Sequence, residues 1–256
     1  LCQGQGKQLL MKKLTVGYSV LADRAKNITP PKNPDWEILI ITQGGKADKG
    51  FPNARELALD SMGVAKSRNA AIENARCEYL VFADDDIVFS ESGLEQAIAY
   101  LDQNQDVSLV LCRATDTDGK LRKNYPEKEE SLGLFNSAKA ATYEMIVRIA
   151  DIRRLGVKFD ERFGAGAQNY LGDEYIFIVD LIRAGGKAQF LPITIASHPE
   201  ISSGSGWGTE RDRVARAKVF TRVFGVFAPV IRLAFGLRRL EELGGIRNLI
   251  RFVFGS

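Results

Sequence analysis

The sequence predicts an α/β fold with a mostly parallel sheet and flanking helices, and two observations lead to this prediction. Apolar runs of strand length alternate along the chain with segments whose apolar residues have helical spacing. One such run, residues 79–83, is followed directly by the carboxylates Asp84, Asp85 and Asp86. Continuous apolar runs are typical of parallel strands buried on both faces, and ligands of open α/β sheets bind beyond the strands' carboxyl ends. The sequence therefore predicts a ligand site at this edge.

The elements are predicted in chain order from the same patterns. Strands are expected at 14–21, 36–42, 79–83, 107–112, 142–149 and 190–196, and a polar loop at 114–131. Helices are expected at 64–75, after an N-cap at Ser92, and at 173–184. The last of these helices is apolar nearly all round and stops at Gly185.

Composition limits the class of protein. The 256 residues suffice for one large α/β domain, or for a domain with a tail. A hydrophobic content of 45% and a charged content of 26% are ordinary for a folded protein. The net charge of +3 does not indicate a nucleic-acid partner, and it is unevenly distributed. Residues 211–256 hold ten Lys or Arg against three Asp or Glu, a local +7 that leaves −4 for the first 210 residues.

Cysteine use and the N-terminus bear on location. Cys2, Cys77 and Cys112 form no metal-binding or disulfide pattern, which favours a reducing, cytoplasmic compartment. Residues 1–10 are polar and lack the apolar core of a signal peptide, so we interpret them as an extension or an expression scar. The folded catalytic domain is expected at 11–208 and basic amphipathic helices at 209–256.

The acid cluster is the first candidate site. Side chains two apart on an extended chain point to opposite sides, so Asp84 and Asp86 should contact different groups. Mg²⁺ or Mn²⁺ is typically held by one or two carboxylates together with phosphate oxygens. A solvated Asp-rich turn is the simple alternative. A second alternative is a haloacid-dehalogenase-type phosphohydrolase with Asp84 as nucleophile, although strands precede the motif and Phe177 stands where that superfamily's later Asp should fall.

Further candidates flank the cluster along the chain. Arg68 falls near the core-facing side of its predicted helix, so it should reach a fixed anionic or planar partner, or form a structural ion pair with an aspartate. Gly164 and Gly166 permit close approach of a ligand to the backbone. Asp173 and Glu174 open a helix, where carboxylates stabilise the helix dipole or act as a general base.

His198 is the only histidine, and it follows a predicted strand. A single His is more often structural than a metal ligand. The glycine-rich loop after it, 202–208, contains Trp207 and is expected to close over a substrate.

In order and spacing, these pieces resemble the family 2 glycosyltransferases of the GT-A fold. The resemblance runs from about residue 14 to residue 198. It rests first on Ser-Arg-Asn at 67–69 of the predicted helix and on the acidic strand end at 82–86. Further along the chain come Phe-Asp-Glu-Arg-Phe-Gly at 159–164 and Gly-Asp-Glu at 172–174, where the last predicted helix begins.

The resemblance implies inverting transfer of one sugar from a nucleotide diphosphate sugar, with a UDP-sugar favoured, to an acceptor hydroxyl. It implies that Asp84 contacts the ribose and that Asp86, with His198, holds Mn²⁺ or Mg²⁺. The remaining donor-binding residues that it implies are Ser19, Gln43, Arg68, Asp85, Gly164 and Gly166.

The chain departs from the family pattern at informative positions. Members usually read Glu-Asp where this chain has Asp173-Glu174, so Glu174 takes the place of the base and Asp173 remains the alternative. Gln43 stands where many members have an Asp that reads the nucleotide base, so uracil is not assured. The Gln-x-x-Arg-Trp signature of processive synthases is absent, and we identify no membrane-spanning segment. Addition of a single sugar is expected, although a non-catalytic nucleotide-sugar-binding module remains an alternative.

The C-terminal segment predicts a membrane partner. On a helix, Lys218, Arg222, Arg232 and Arg239 fall within an arc of roughly 100°, opposite an apolar face. Such a helix suits an anionic membrane surface, and Pro229 should kink or split it. The alternative is an amphipathic helix packed on the catalytic domain. With a membrane, the expected acceptor is a glycan or lipid-linked glycan in bacterial surface-glycan assembly, and the protein is peripheral on the inner face of the cell membrane.

Overall fold

The computed structural model describes residues 12–47, 50–199 and 209–255. The predicted extension at 1–10 and the glycine-rich loop at 202–208 lie outside these ranges. Within them, nine strands form one sheet; they are β1 Leu14–Leu21, β2 Glu37–Gln43, β3 Ala54–Leu59, β4 Tyr79–Ala83, β5 Val88–Phe89, β6 Val107–Thr115, β7 Glu130–Ser131, β8 Met145–Arg148 and β9 Lys187–Ser197.

The helices flank this sheet. They are α1 Val64–Asn74, α2 Glu91–Gln103, α3 Ile149–Leu155, α4 Asp173–Arg183, α5 Glu210–Phe224, α6 Ala228–Leu237 and α7 Ile246–Phe254. Short 3₁₀ segments occupy Ala22–Asn27, Thr142–Glu144 and Gly225–Phe227.

The sheet is mostly parallel, as predicted. Its order is β3-β2-β1-β4-β8-β6-β9-β5, with β7 paired to β9 off this path. The strands β3, β2, β1 and β4 pair in parallel, as do β6 and β9. Strand β8 is antiparallel to both β4 and β6, so two reversals return β6 and β9 to the direction of β4. The carboxyl ends of β1, β2, β4, β6 and β9 therefore meet at one edge of the sheet.

Alternation along the central strands builds a core on each face. From β4, Tyr79 and Val81 pack in one cluster with Leu94 of α2. Leu80 and Phe82 point the other way and pack in a second cluster that includes Phe177 of α4. This alternation follows from the two-residue period of a strand. It places the first turn of α4 beside the end of β4.

The structure corrects several predicted boundaries. The cap of α2 is Ser90, whose hydroxyl accepts the Gly93 N–H at 3.2 Å, while Ser92 lies inside the helix. The strand predicted at 142–149 is a 3₁₀ turn, a four-residue strand and the start of α3. The loop predicted at 114–131 contributes β7. Strand β3 was not predicted, because the adjacent charges Arg55 and Glu56 interrupt its apolar residues at a half-buried sheet edge.

The C-terminal helices differ from the predicted cationic stripe. Arg222 on α5 donates to Asp160 at 2.8 Å and to Asp180 of α4 at 2.6 Å. Arg232 is buried and donates to the carbonyl of Val253 at 2.9 Å. Two of the four cations of the stripe therefore hold the helices together, because a buried guanidinium needs partners for its N–H groups. The alternative of packing on the catalytic domain is correct for α5.

One stretch, Glu210–Leu237, is long and apolar enough to cross a membrane by length and composition alone. This finding differs from the expectation that no such segment exists. In the structure the stretch comprises α5 and α6, separated by the 3₁₀ turn at Gly225–Phe227. Pro229 lies in the first turn of α6, where the missing N–H of a proline is tolerated, so the predicted split of the helix is confirmed.

Candidate active site

The candidate site lies at the sheet edge where the parallel strands end. Asp84 follows β4 directly, and His198 follows β9. Because β8 runs in the opposite direction, the residues before it, including Thr142 and Tyr143, reach the same edge. Ligands of open α/β sheets bind outside such strand ends. The topology thus gathers polar side chains that are far apart in sequence.

Arg68 is the centre of a buried charge cluster. It is about 5% exposed and donates to the Asp173 carboxylate in a short hydrogen bond. Its guanidinium also lies 3.5 Å from Asp84 Oδ1 and 3.7 Å from Glu174 Oε1. The alternative of an ion pair between Arg68 and an aspartate is confirmed, and the contact of Arg68 with a donor stays a prediction. One guanidinium faces three carboxylates, so the cluster has an excess of negative charge.

The excess charge is reflected in the acidity of Glu174. Burial, and then the charge of Asp173, raises the pKa of Glu174 to about 8, while Arg68 opposes the shift. The Thr142 hydroxyl donates to Glu174 Oε1 at 3.3 Å. Glu174 keeps 22% of its side chain exposed, whereas Asp173 keeps 3%. Glu174 is therefore the accessible carboxylate of the pair, and Asp173 is enclosed by its ion pair.

Asp86 and His198 form the second part of the site. His198 Nε2 lies 3.6 Å from Asp86 Oδ1. The other ring nitrogen, Nδ1, lies 2.5 Å from the carbonyl of Pro199, so a proton on Nδ1 leaves the Nε2 lone pair facing the carboxylate. Asp86 Oδ1 is buried and has no hydrogen-bond partner within the described ranges. A buried carboxylate oxygen without a donor is costly, which is an observation expected of a cation ligand.

The residues present fit a divalent cation held jointly with a substrate. No group of three or more His, Cys, Asp or Glu side chains with metal-ligand geometry occurs in the described part of the chain. Two protein ligands, Asp86 and His198, suit Mg²⁺ or Mn²⁺ that completes its coordination with water and phosphate oxygens. The Nδ1 contact of His198 is the kind of support that orients a metal-binding imidazole.

Tyr143 and Arg122 support His198, and sequence reasoning missed both. The Tyr143 ring stacks on the imidazole with centroids 5.0 Å apart and an interplanar angle of 17°. Arg122 donates to the His198 carbonyl at 2.8 Å. Tyr143 falls in a segment predicted as strand, and Arg122 in a segment predicted as loop. The contacts depend on strand order, which no local pattern reveals.

Asp85 has a different setting from its neighbours. It is buried, and its carboxylate accepts from Arg24 Nε at 3.0 Å and from Asn27 Nδ2 at 3.1 Å. These contacts tie the acidic turn to the 3₁₀ segment after β1. The side chain of Asp85 therefore supports the turn, and its contact with a donor stays a prediction.

Two other predicted donor residues lie at strand ends. Ser19 is buried near the end of β1, and its hydroxyl has no hydrogen-bond partner within the described ranges. Gln43 ends β2, but its amide nitrogen donates to the carbonyls of Ser61 at 2.7 Å and Gly63 at 3.0 Å. Gln43 thus fixes the approach to α1, and its contact with a nucleotide base stays a prediction.

Gly164 and Gly166 allow close packing around the charge cluster. Both have positive φ, 96° and 79°. A Cβ on Gly164 would lie 2.8 Å from Asp173 Cγ, and one on Gly166 would lie 3.2 Å from the Gly63 Cα. The glycines therefore let this loop lie against α1 and α4, in addition to any ligand contact.

Helix α5 supports the first turn of α4. A Cβ on Gly172, the residue before Asp173, would lie 2.5 Å from Val219 of α5. Val219 and Val223 share a cluster with Tyr175, Ile176 and Val179 of α4. The C-terminal helices are thus connected to the residues that carry the candidate base.

Solved structures of S. aureus TarS are similar in fold to this chain. The crystal structure of S. aureus TarS 1-349 in complex with UDP matches with a TM-score of 0.56 and 15% identity, covering 90% of this chain and 72% of that one. TarS 1-349 in complex with UDP-GlcNAc matches with a TM-score of 0.54 and 15% identity, covering 94% and 81%. A longer TarS structure matches at 0.55 and 16% identity, and 49% of its length is covered. At these identities the likeness shows the GT-A fold alone.

The sequence itself shows the family. No curated protein sequence matches the chain significantly. The model of glycosyl transferase family 2 matches residues 20–155, which is more than half of the 256 residues and spans Arg68 and the acidic turn. The chain therefore belongs to glycosyl transferase family 2 and is a nucleotide-sugar glycosyltransferase.

Proposed function

We propose that the chain transfers one sugar from a nucleotide diphosphate sugar to an acceptor hydroxyl, with inversion at the anomeric carbon and with a bound Mn²⁺ or Mg²⁺. The observation that carries the proposal is the buried Asp86 Oδ1, which accepts no hydrogen bond from the described residues and lies 3.6 Å from His198 Nε2 at the end of the sheet. When bound there, the cation would neutralise charge that develops on the leaving diphosphate.

Other residues at this edge would bind the nucleotide. Asp84 is assigned to the ribose hydroxyls, because its carboxylate lies beside Arg68 and remains 35% exposed. Ser19 is assigned a hydrogen bond to the donor through its hydroxyl, which has no hydrogen-bond partner among the described residues. A UDP-sugar is the favoured donor, and the UDP and UDP-GlcNAc bound by S. aureus TarS support this choice by analogy. Gln43 and the glycine loop with Gly164 and Gly166 would shape the pocket.

Glu174 is proposed as the general base. It would accept the proton of the acceptor hydroxyl as the oxygen attacks the anomeric carbon from the face opposite the leaving group. A base is most effective when its pKa lies near the working pH, and burial and Asp173 move Glu174 in that direction. Asp173 would position Arg68 and tune Glu174 rather than accept the proton itself, because its carboxylate is enclosed by the guanidinium.

The proposed acceptor is a glycan or a lipid-linked glycan in assembly of a bacterial surface polymer, at the inner face of the cell membrane. An open cavity of about 450 Å³ supports an acceptor route, because it is lined by Gly166 and Tyr170 next to the loop that packs on Asp173. Thr209, Arg211 and Asp212 line its other side. In this division, residues 11–208 form the catalytic domain and residues 209–256 the helical extension.

Neither alternative is favoured by a specific observation. Asp84 as the nucleophile of a phosphohydrolase would have to act beside Arg68, and membership of family 2 provides no precedent for it. A non-catalytic module would not need an accessible carboxylate with a raised pKa next to the donor site.

A thermal-shift screen tests the proposal. Nucleotide diphosphate sugars are added to the full chain with Mn²⁺ and with EDTA. A donor at 100 times its Kd stabilises the folded state by about 2.7 kcal/mol, so the cognate donor should raise Tm by several degrees and only with Mn²⁺. For that donor, NMR of the product should show the anomeric configuration opposite to that of the donor. Equal stabilisation with EDTA, or a product of retained configuration, would refute this part of the proposal.

A further inference from the structure

Exposed apolar side chains are concentrated on the last two helices and on the 3₁₀ turn that precedes them. Of the thirteen large hydrophobic residues that are exposed in the described ranges, eight lie between residues 226 and 254, with exposures of 44% to 87%. We call these eight the apolar surface; they are Val226, Phe227, Val230, Leu233, Leu237, Ile246, Ile250 and Phe254. Apolar surface of this density is typical of an interaction site rather than of ordinary protein surface.

The apolar surface belongs to one folded unit. Along α6, Ala228, Arg232 and Gly236 are buried at four-residue spacing, and a Cβ on Gly236 would lie 2.4 Å from Leu249 of α7. Arg232 also donates to the Val253 carbonyl of α7. The two helices therefore pack against each other along these residues, and the apolar surface is what remains outside that contact.

The charge of the two helices indicates what the apolar surface contacts. Neither α6 nor α7 contains Asp or Glu, and α7 carries Arg247 and Arg251 on exposed positions. Arg238 follows α6 directly and is also exposed. A second copy of this chain would bring the same positive charges to the contact, whereas anionic lipid headgroups would complement them.

The lengths of the helices determine how a bilayer would be contacted. At 1.5 Å per residue, the ten residues of α6 and the nine of α7 are about 15 Å long, half of a hydrocarbon core of about 30 Å. Arg222 is held by Asp160 and Asp180, so α5 remains attached to the catalytic domain. Helices of this kind lie in the membrane interface rather than cross it.

We infer that α6 and α7 form an interfacial docking surface for an anionic phospholipid bilayer, with the apolar surface inserted among the headgroups and acyl chains and Arg238 and Arg247 on the phosphates. This inference rests on the proposed function and names its membrane partner. It places the membrane contact on the apolar surface instead of on the predicted cationic stripe of Lys218, Arg222, Arg232 and Arg239. Helix α5, which precedes α6 in the chain, carries Val219 against Gly172, two residues before Glu174.

Vesicle flotation of the full chain tests the inference. Vesicles of phosphatidylglycerol and phosphatidylcholine should bind the protein, and pure phosphatidylcholine vesicles should bind it at least tenfold less. Phe227→Asp and Ile250→Asp should each lower the partition coefficient at least tenfold. The control Val88→Asp, on β5 and as exposed as Ile250, should leave it unchanged. Arg247→Gln should lower binding to the anionic vesicles about fivefold.

The outcomes are separable from those of the sugar-transfer chemistry, since flotation needs no donor and no turnover. Circular dichroism and Tm should be unaltered in the variants, because the side chains that they change are exposed. Absence of flotation by the unchanged protein would overturn the inference, and so would flotation equal in Ile250→Asp and in the control. A third outcome is that the unchanged protein does not float but forms dimers, and that Ile250→Asp dissociates them. This outcome would assign the apolar surface to a second copy of the chain and would also overturn the inference.

Discussion

Substituting the two adjacent carboxylates at the start of α4 separates the base from its support. Glu174→Gln removes the group that we propose takes the acceptor proton and leaves the side-chain size nearly unchanged. General bases contribute about 10²–10⁴-fold, so kcat should fall by that factor, equivalent to about 2.7–5.4 kcal/mol. The affinity for the donor and the Tm should change little, because the side chain is partly exposed and Arg68 keeps Asp173 and Asp84 as partners.

Asp173→Asn should act differently. Breaking a buried ion pair costs about 3–5 kcal/mol. The cost here should lie at the lower end, because the Arg68 guanidinium keeps Asp84 at 3.5 Å and Glu174 at 3.7 Å as partners. About 3 kcal/mol lowers Tm by roughly 6–12 °C in a domain of this size. Loss of the Asp173 charge also removes one cause of the raised pKa of Glu174, so the acidic limb of the pH–rate profile should move to lower pH.

The assay is donor turnover across pH 5–9, paired with Tm and donor affinity for each variant. Glu73→Gln serves as the control, because Glu73 pairs with Lys158 at 2.8 Å on the surface, where such a pair contributes about 1 kcal/mol or less. The reasoning is refuted if Glu174→Gln retains more than about a tenth of the turnover. It is also refuted if Asp173→Asn loses turnover as Glu174→Gln does while its Tm and its pH profile stay unchanged.

The remaining predictions concern pH, the His198 support and the glycine loop. Because Glu174 must be ionised to act and its pKa is raised to about 8, log kcat/KM should rise with unit slope up to about that pH; a plateau reached by pH 6 would contradict this. Tyr143→Leu removes the ring stacked on His198 and should weaken apparent Mn²⁺ affinity several-fold, whereas Tyr143→Phe should not; equal effects of the two would argue against stacking as the cause. Gly164→Ala places a methyl 2.8 Å from Asp173 Cγ at a φ of 96°, and should destabilise the protein by about 1–3 kcal/mol in denaturant unfolding; an unchanged midpoint would show that the loop relaxes.

Local sequence patterns were sufficient to predict the central strands of the sheet and part of the candidate site. Strand β4 was predictable because a continuous apolar run ends in charges, and the burial of Arg68 followed from the helical spacing of its neighbours. The cluster of Arg68 with Asp173 and Glu174 could not be derived locally, since it joins residues 105 or more positions apart. It depends on how α1 and α4 pack on one face of the sheet.

The contacts of the C-terminal helices also could not be predicted from local sequence patterns. The four cations were predicted on one helix face, but Lys218 and Arg222 lie on α5, Arg232 lies on α6, and Arg239 follows the end of α6. Spacing also does not reveal which cations find partners. Arg222 meets Asp160 and Asp180, and Arg232 meets the backbone at the end of α7, so neither remains on a free cationic face. The apolar residues that these contacts leave exposed were identified only from the packing of α6 on α7.

The most direct test of the central claim is calorimetric titration of UDP into the protein with Mn²⁺ and with EDTA, for the unchanged chain and for Asp86→Asn, His198→Gln and Glu174→Gln. If Asp86 and His198 hold a cation on the donor diphosphate, UDP should bind at least tenfold more tightly with Mn²⁺. That difference should be lost in Asp86→Asn and reduced in His198→Gln, and Glu174→Gln should retain it. Equal UDP affinity with Mn²⁺ and EDTA, or a metal effect that persists in Asp86→Asn, would contradict the account.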